Sequence, residues 1–266
     1  MARLGASEKL ERGLRERGAL CVGLDPDPER LPPAVRGDVA AFLCDIVAAT
    51  QDLACAYKLN AAFFEALGLP GLVALERVRQ AIPPSAFIIW DAKRGDIANT
   101  NRFYARAAFE TWDADAVTVQ PYLGLEPLAP FFDYRDRMTL VLCATSEGHR
   151  MQQLLVKEPS AASTSSSEEP LYLWLTRQVA AWSRREGAAR NIGLVVGATV
   201  PAQLSAVRAL APELPLLVPG VGAQGGSWPA PPALVNVSRA VLYADPGADF
   251  AQAARRAAQE LVHVRN

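Results

Sequence analysis

The segment AFIIWDAKRGDIANT, residues 86–100, begins with five apolar residues and then places four charges within six positions. A short continuous apolar run bounded by polar residues is typical of a β-strand that is buried on both faces. The charges that follow have two interpretations: a solvated loop, or a catalytic site at the mouth of a buried strand. The rest of the sequence has to decide between them.

Seven further apolar runs have the length of strands, and segments with apolar residues at helical spacing lie between most of the runs. Strands that alternate with helices predict a parallel sheet, and eight strands are the number that closes a (β/α)8 TIM barrel. The length of 266 residues fits one such domain, over residues 1–266. The seven runs are ALCVGLD (19–25), CAYKLN (55–60), AVTVQP (116–121), MTLVLCATS (138–146), IGLVVGAT (192–199), LPLLVPGVG (214–222) and ALVNVSR (233–239).

The alternative fold is a doubly wound open sheet. The first strand lacks the GxGxxG turn that a dinucleotide-binding version would carry, so the barrel is favoured. The opening segment SEKLERGLRERG predicts an extra N-terminal helix that closes the bottom of the barrel. Residues 147–170 separate the fifth strand from its helix, and their serine-rich part predicts a long loop, either a functional lid or a mobile insertion.

Composition excludes several classes of function. The formal net charge of -1 gives no basic bias toward nucleic acid. No apolar run reaches the roughly 18 residues of a membrane span, and the N-terminus lacks the apolar core of a signal peptide. These features predict a cytoplasmic protein that binds neither nucleic acid nor a membrane.

Cysteine and histidine are scarce. The four cysteines (Cys21, Cys44, Cys55 and Cys143) have no paired spacing, which predicts buried reduced thiols rather than a zinc site. With only two histidines in the chain, lysines and carboxylates must carry any acid–base chemistry.

Polar residues collect at the carboxyl ends of the predicted strands, where the active site of a barrel lies. Residues two apart on a strand share a face, so Asp91 and Lys93 should point the same way. The pair by itself could be an ion pair that fixes a strand end, but an array of buried charges without a function is costly. The candidates are Asp25, Lys58, Asp91, Lys93, Asp96, Thr100, Thr145, Ser146, Ser238 and Arg239.

A second signal is the glycine-rich segment PGVGAQGGS, residues 219–227, after the seventh strand. Its backbone N–H groups can approach an anion closely, and Arg239 at the end of the eighth strand can grip a phosphate bidentately. Phosphate sites in β/α barrels lie at these two strand ends, so the pair predicts a phosphorylated ligand.

These motifs together resemble the orotidine 5′-phosphate decarboxylase family, in its bacterial branch with the longer chain. DAKRGDIANT resembles the family's D-x-K-x-x-D-I-x-x-T signature, and AYKLNAAFFEALG resembles its second strand. CVGLDPD resembles the first strand, and PGVGAQGGS with VNVSRAVLYA resembles the phosphate site. The resemblance covers residues 19–244. Related barrels that use magnesium, the hexulose-phosphate synthases and ketogulonate-phosphate decarboxylases, share D-x-K-x-x-D and remain the alternative, as does a phosphate-binding barrel without catalysis.

The resemblance implies decarboxylation of orotidine 5′-phosphate to UMP and CO2, the last step of UMP biosynthesis, without a cofactor or metal. Lys93 would stabilise and protonate C6 of the pyrimidine, with Asp91 and Asp96 keeping it charged. Lys58 would hold Asp91 in place, and Lys58 and Asp25 would bind the ribose.

The same resemblance implies a homodimer in which Asp96 and Thr100 reach into the partner's site. Gln224, Gly225 and Arg239 would hold the phosphate, and Thr145 and Ser146 would contact the pyrimidine. Ser238 stands where the family often has a glycine, and its backbone can still serve the phosphate.

Overall fold

A computed structural model describes residues 4–145, 149–157, 168–185, 191–220, 229 and 232–263. Eight parallel strands form a closed barrel in which each strand pairs with the next along the chain, and the last pairs with the first. The predicted (β/α)8 barrel is therefore confirmed, with each predicted run containing one strand. The barrel strands are β1 (Leu20–Leu24), β2 (Ala56–Asn60), β3 (Phe87–Arg94), β4 (Ala116–Val119), β5 (Met138–Ala144), β8 (Ile192–Val196), β9 (Leu216–Pro219) and β10 (Ala233–Val237).

Helices surround the barrel and begin and end at local signals. Asp38, for example, caps one helix by accepting a hydrogen bond from the backbone N–H of Ala41 at 2.9 Å. The helices are α1 (Ala6–Arg17), α2 (Val39–Thr50), α3 (Ala61–Glu65), α4 (Gly68–Ala81), α5 (Ala98–Arg106), α6 (Ala129–Phe132), α7 (His149–Gln152), α8 (Leu171–Ser183), α9 (Pro201–Leu210), α10 (Arg239–Leu242) and α11 (Phe250–His263).

The strands are buried on both faces, which explains their continuous apolar runs. Along β3, Phe87 and Ile89 belong to the cluster inside the barrel, whereas Ile88 and Trp90 pack against the helices. Alternation along the strand sends odd-numbered residues inward. The inward series therefore runs from Phe87 at the bottom of the barrel toward Asp91 at its mouth.

Helix α1 closes the bottom of the barrel, as its sequence predicts. Ala6 and Leu10 pack into the interior cluster. Lys9 donates to the buried Asp115 at 2.6 Å, and Asp115 also accepts the backbone N–H of Ile88 at 2.9 Å. This closure leaves the carboxyl ends of the strands as the open end of the barrel.

The segment after β5 has more structure than the single long loop that was predicted. It contains α7 and a small antiparallel hairpin of β6 (Leu155–Lys157) and β7 (Glu168–Pro170) before α8 begins. Local apolar residues at 154–156 and the short polar stretch around Glu168 were too brief to identify as strands. The serine-rich part between β6 and β7 lies outside the described residues.

All four cysteines are free thiols. Cys21, Cys55 and Cys143 are buried, as predicted, but Cys44 on α2 is only partly buried. The prediction for Cys44 was wrong because the apolar run of α2 did not reveal which side of the helix faces solvent. Burial raises the pKa of the Cys143 thiol to about 11, which keeps it protonated and unreactive.

In the described part of the chain, no helix has both the length and the apolar character needed to cross a membrane.

Candidate active site

The end of β3 departs from regular strand geometry at Lys93, one of the predicted site residues. Lys93 has a φ of 47°, in the left-handed region that residues other than glycine rarely adopt. The pairing of β3 with β4 also shifts register between Trp90 and Arg94. Even so, Lys93 Nζ lies 2.6 Å from Asp91 Oδ1, in agreement with the prediction that the two side chains point the same way.

Asp91 lies between two ammonium groups. Lys58 Nζ on β2 lies 2.9 Å from Asp91 Oδ2, and Lys93 Nζ contacts the other carboxylate oxygen. Lys58 Nζ also donates to Asp25 Oδ1 at 3.2 Å. Lys58 and Asp91 are buried, whereas the Lys93 side chain is 49% exposed. The structure thus brings four of the predicted residues, from three neighbouring strands, into one charged array.

Opposite charges dominate the ionisation of this array. Desolvation alone would lower the pKa of Lys58, but the carboxylates of Asp91 and Asp25 outweigh it and hold that pKa above its ordinary value. Desolvation would likewise raise the pKa of Asp91, but Lys58 and Lys93 hold it well below its usual range. Both buried groups are therefore charged at neutral pH.

Thr118 on β4 completes the environment of Asp91, and sequence reasoning missed it. Its hydroxyl donates to Asp91 Oδ1 at 2.8 Å and accepts the backbone N–H of Lys93 at 3.0 Å. A threonine within the apolar run AVTVQP carries no signal of its own, because threonine is common in strands.

Asp96 and Thr100 are not brought to the array within this chain. Asp96 makes no ion pair with Lys93, and its carboxylate accepts the backbone N–H of Ile97 at 2.6 Å. The buried Asn101 fixes the Asp96 backbone by accepting its N–H at 3.1 Å and donating to its carbonyl at 2.7 Å. Thr100 lies on the first turn of α5. Asn101 is a second residue that the sequence did not single out.

A cavity of about 490 Å³ opens beside the array at the mouth of the barrel. Asp25 belongs to both, since it lines the cavity and pairs with Lys58. Small-molecule sites typically have about 300–1,000 Å³, so the cavity is large enough for a ligand. Four predicted residues line it, and they are Asp25, Thr145, Ser238 and Arg239.

The end of β10 places Ser238 and Arg239 on the cavity wall. Asn236 Nδ2 donates to Ser238 Oγ at 3.3 Å, and both side chains turn toward β1 at Gly23. A Cβ atom at Gly23 would lie 2.0 Å from Ser238 Oγ, so any larger residue at this position would force the Ser238 side chain to shift. Arg239 is exposed, and it makes no ion pair with another residue in the described ranges.

Thr145 is held by the insertion after β5. The side chain of Gln152 on α7 accepts the backbone N–H of Thr145 at 2.7 Å and donates to its hydroxyl at 3.3 Å. Gln152 therefore fixes one wall of the cavity, and it lies within the segment that was predicted to be a single long loop.

Tyr243 is a further cavity residue that the sequence did not identify. Its hydroxyl accepts the backbone N–H of Asp27 at 2.6 Å, and the guanidinium of Arg30 lies 4.0 Å from the centre of its ring. The loop after β1 is thereby tied to the segment after β10. The sequence signal that could have pointed to this contact was the pair of charged residues Asp27 and Arg30, which closely follow the predicted first strand.

Three predicted residues, Ser146, Gln224 and Gly225, lie outside the described residues, as does most of the glycine-rich segment. Of that segment only Pro219 and Gly220 are described, and both line the cavity.

Fold and site together define a β/α barrel whose charged array and ligand cavity lie at the carboxyl ends of its strands. The family model described as "Orotidine 5'-phosphate decarboxylase / HUMPS family" matches residues 18–229. The chain belongs to this family.

Individual relatives agree with that assignment. The chain is 46% identical to the orotidine 5′-phosphate decarboxylase of Thermomicrobium roseum, covering 96% of this chain and 92% of the relative. Its identity to the enzyme of the same name from Roseiflexus sp. is 47%, covering 93% of this chain and 92% of the relative. The solved structure of Leishmania donovani OMP decarboxylase superposes with a TM-score of 0.80 at 35% identity, covering 98% of this chain and 99% of that one.

Proposed function

We propose that the protein converts orotidine 5′-phosphate to UMP and CO2, the last step of UMP biosynthesis. The observation that carries this proposal is the Lys93 ammonium, held 2.6 Å from the buried Asp91 carboxylate at the mouth of the barrel. Membership of the family supports the same reaction. The array provides fixed charge, which is what a decarboxylation without an electron sink requires.

The chemical difficulty lies at C6 of the pyrimidine. When the bond from C6 to the carboxylate breaks, its electron pair stays on C6, in the ring plane, where it cannot delocalise into the π system. The positive charge of Lys93 stabilises this pair, and the ammonium then donates a proton to C6 to form UMP. No cofactor takes part in these steps.

Asp91 has two roles in this scheme. It positions the Lys93 ammonium, and its own charge faces the carboxylate of the substrate. Repulsion between the two carboxylates is relieved as CO2 leaves, which favours the transition state over the bound substrate. Lys58 keeps Asp91 charged and in place, and its contact with Asp25 extends the array toward the ribose.

The proton balance of the cycle depends on solvent access to Lys93. After donating its proton to C6, Lys93 is a neutral amine and must regain a proton before the next turnover. Its side chain is 49% exposed, so water can supply that proton once the product has left.

The remaining site residues bind the substrate around the cavity. Asp25 and Lys58 bind the ribose, and Thr145 with Ser146 contacts the pyrimidine edge. The phosphate is held by a group at the ends of β9 and β10, made of Gln224, Gly225, Ser238 and Arg239. Binding energy gained at the phosphate, remote from C6, is available to favour the transition state.

The working unit is a homodimer with shared sites. Asp96 is out of ion-pairing distance of the Lys93 of its own chain, which supports a role in the site of a partner. The elements next to Asp96 and Thr100 also carry exposed apolar side chains, which is a common feature of subunit interfaces. They are Ile97, Phe103, Tyr122 and Leu123.

The compartment proposed is the cytoplasm. All four cysteines are free, and Cys21 and Cys55 lie in the same apolar cluster inside the barrel without forming a disulfide. Free thiols of this kind support a reducing compartment.

A chelator separates this function from a magnesium-dependent sugar-phosphate lyase of the same barrel type. The lyase needs a metal ligand where this chain has Lys58, whose ammonium already lies between two carboxylates. In the described ranges, no cluster of three or more His, Cys, Asp or Glu side chains is placed to hold a metal ion. Activity should survive EDTA; loss of activity that magnesium restores would favour the lyase.

The direct test is to add the purified protein to orotidine 5′-phosphate and follow the loss of orotidylate absorbance, with UMP identified as the product. Heat-denatured protein is the control. A folded protein that leaves orotidine 5′-phosphate unchanged would refute the proposal and leave a phosphate-binding barrel without catalysis.

A further inference from the structure

We propose that Thr118 is a positioning residue for the decarboxylation, because its hydroxyl fixes the Lys93 backbone and the Asp91 carboxylate relative to one another. The inference rests on the proposed function. Thr118 lies on β4, one strand away from the lysine and the aspartate that it contacts, and it is 1% exposed.

One hydroxyl joins the two groups. Thr118 Oγ1 lies 3.0 Å from the backbone nitrogen of Lys93 and 2.8 Å from Asp91 Oδ1. The oxygen that it contacts on Asp91 is the same one that Lys93 Nζ approaches. Thr118 therefore closes a small ring of contacts that includes both the main chain and the side chain of Lys93.

The direction of both hydrogen bonds is determined by the groups themselves. A backbone N–H can only donate, so the Thr118 oxygen accepts from Lys93 and directs its own proton to Asp91. Asp91 must then act as an acceptor at that oxygen, which an ionised carboxylate does. The hydroxyl thus favours the charged form of Asp91 and fixes where its negative charge lies.

The Lys93 backbone needs such a partner. Its φ of 47° and the register shift of β3 against β4 remove it from the regular ladder. Strained backbone persists only when the surroundings hold it in place, and an unpaired N–H next to a buried carboxylate is costly. Without the hydroxyl, the residue can relax toward extended geometry, and that relaxation moves the ammonium.

A second buried threonine provides a matched comparison. Thr139 on β5 is 0% exposed, and its hydroxyl finds no hydrogen-bond partner within the described ranges. Replacing either threonine with valine nearly preserves the shape of the side chain and exchanges the hydroxyl for a methyl group that cannot form hydrogen bonds. Thr139→Val therefore controls for the loss of a buried hydroxyl from a barrel strand. Thr118→Val tests the loss of the contacts with Lys93 and Asp91.

The experiment compares Thr118→Val, Thr118→Ser and Thr139→Val with the wild type. A displacement of about 1 Å can cost about 10²-fold in rate, so Thr118→Val should lower kcat by that order and change KM less than about threefold. Thr118→Ser keeps a hydroxyl at this position, so its kcat should lie within about fivefold of the wild-type value. The kcat of Thr139→Val should match that of the wild type. Wild-type kcat in Thr118→Val, or equal loss in Thr118→Val and Thr118→Ser, would overturn the proposal.

Hydrogen exchange at the Lys93 amide gives a readout that does not depend on activity. Loss of its partner in Thr118→Val should accelerate exchange by at least about tenfold, with no change in Thr118→Ser or Thr139→Val. Unchanged exchange in Thr118→Val would overturn the role of Thr118. If the wild type forms no UMP, the proposed function fails, and this exchange result still decides whether Thr118 fixes the lysine.

Discussion

Lys58 Nζ lies 2.9 Å from Asp91 Oδ2, and both side chains are almost fully buried at the mouth of the barrel. Each charge stabilises the other, because a buried charge that loses an opposite partner is strongly disfavoured. Burial of the pair carries a desolvation penalty. Its contribution can therefore be tested by the free energy of unfolding as well as by activity.

Removal of Lys58 should destabilise the protein. Lys58→Met leaves Asp91 buried with only the half-exposed Lys93 to balance it, and breaking a buried pair in this way typically costs about 3–5 kcal/mol. Urea unfolding measures the effect. The double variant Lys58→Met/Asp91→Asn removes both charges and should regain most of the loss. A double variant as unstable as the single one would show that packing, and not charge, is responsible.

The pH dependence of this effect has a definite sign. The folded-state pKa of Asp91 is lowered, so its contribution is present above the unfolded value of about 3.9 and is lost as the pH falls through the folded value. The pKa of Lys58 is raised, so its contribution is present below about 10.4 and is lost as the pH rises through the folded value.

Unfolding free energies across pH should therefore show the wild-type contribution of the pair intact from about pH 4 to about pH 10. The deficit of Lys58→Met should shrink as the pH falls, because protonation neutralises the orphaned Asp91 carboxyl in the variant first. A deficit that grows toward low pH would contradict the assignment of charge to Asp91.

Lys93→Ala should abolish decarboxylation, with a loss of at least about 10³-fold, because C6 loses both its stabilising charge and its proton donor. Lys93→Arg should fail as well, since a guanidinium has a different shape and is a far poorer proton donor. UMP formation measures the loss, and a wild-type thermal unfolding curve is the control for folding. Near-normal turnover in either variant would refute the mechanism.

Arg239→Ala should raise KM strongly and lower kcat/KM for orotidine 5′-phosphate, because Arg239 lines the cavity and belongs to the proposed phosphate site. The same change should matter little for orotidine, which has no phosphate. Arg256→Ala is a matched control, since Arg256 is an exposed arginine on α11 that pairs with Asp249. Equal losses with both substrates would show that Arg239 does not bind the phosphate.

Shared sites in a homodimer predict complementation between two inactive variants. Asp96→Ala and Lys93→Ala should each be nearly inactive alone. In a heterodimer, one site carries both lesions, and the other combines the intact Lys93 with the intact Asp96 of the opposite chain. Random exchange should restore up to about one quarter of wild-type activity. If labelled subunits exchange and no activity returns, Asp96 acts within its own chain.

The sequence by itself determined the barrel and much of the array. Alternation of side chains along a strand is a local property of the backbone, so the apolar run before Asp91 was enough to predict a buried strand. The same rule placed Asp91 and Lys93 on one side. The ends of eight such strands meet at one face of a barrel, which brings Lys58 and Asp25 to the same place.

Only the tertiary structure decided how these groups are held. The left-handed backbone at Lys93 and its contact with the hydroxyl of Thr118 leave no local pattern in the sequence. Each depends on which residue of a neighbouring strand or helix lies opposite, and strand register is set by packing across the whole barrel. Local periodicity predicts the direction of a side chain, whereas the residue that it contacts is determined by the packing of segments far away in the chain.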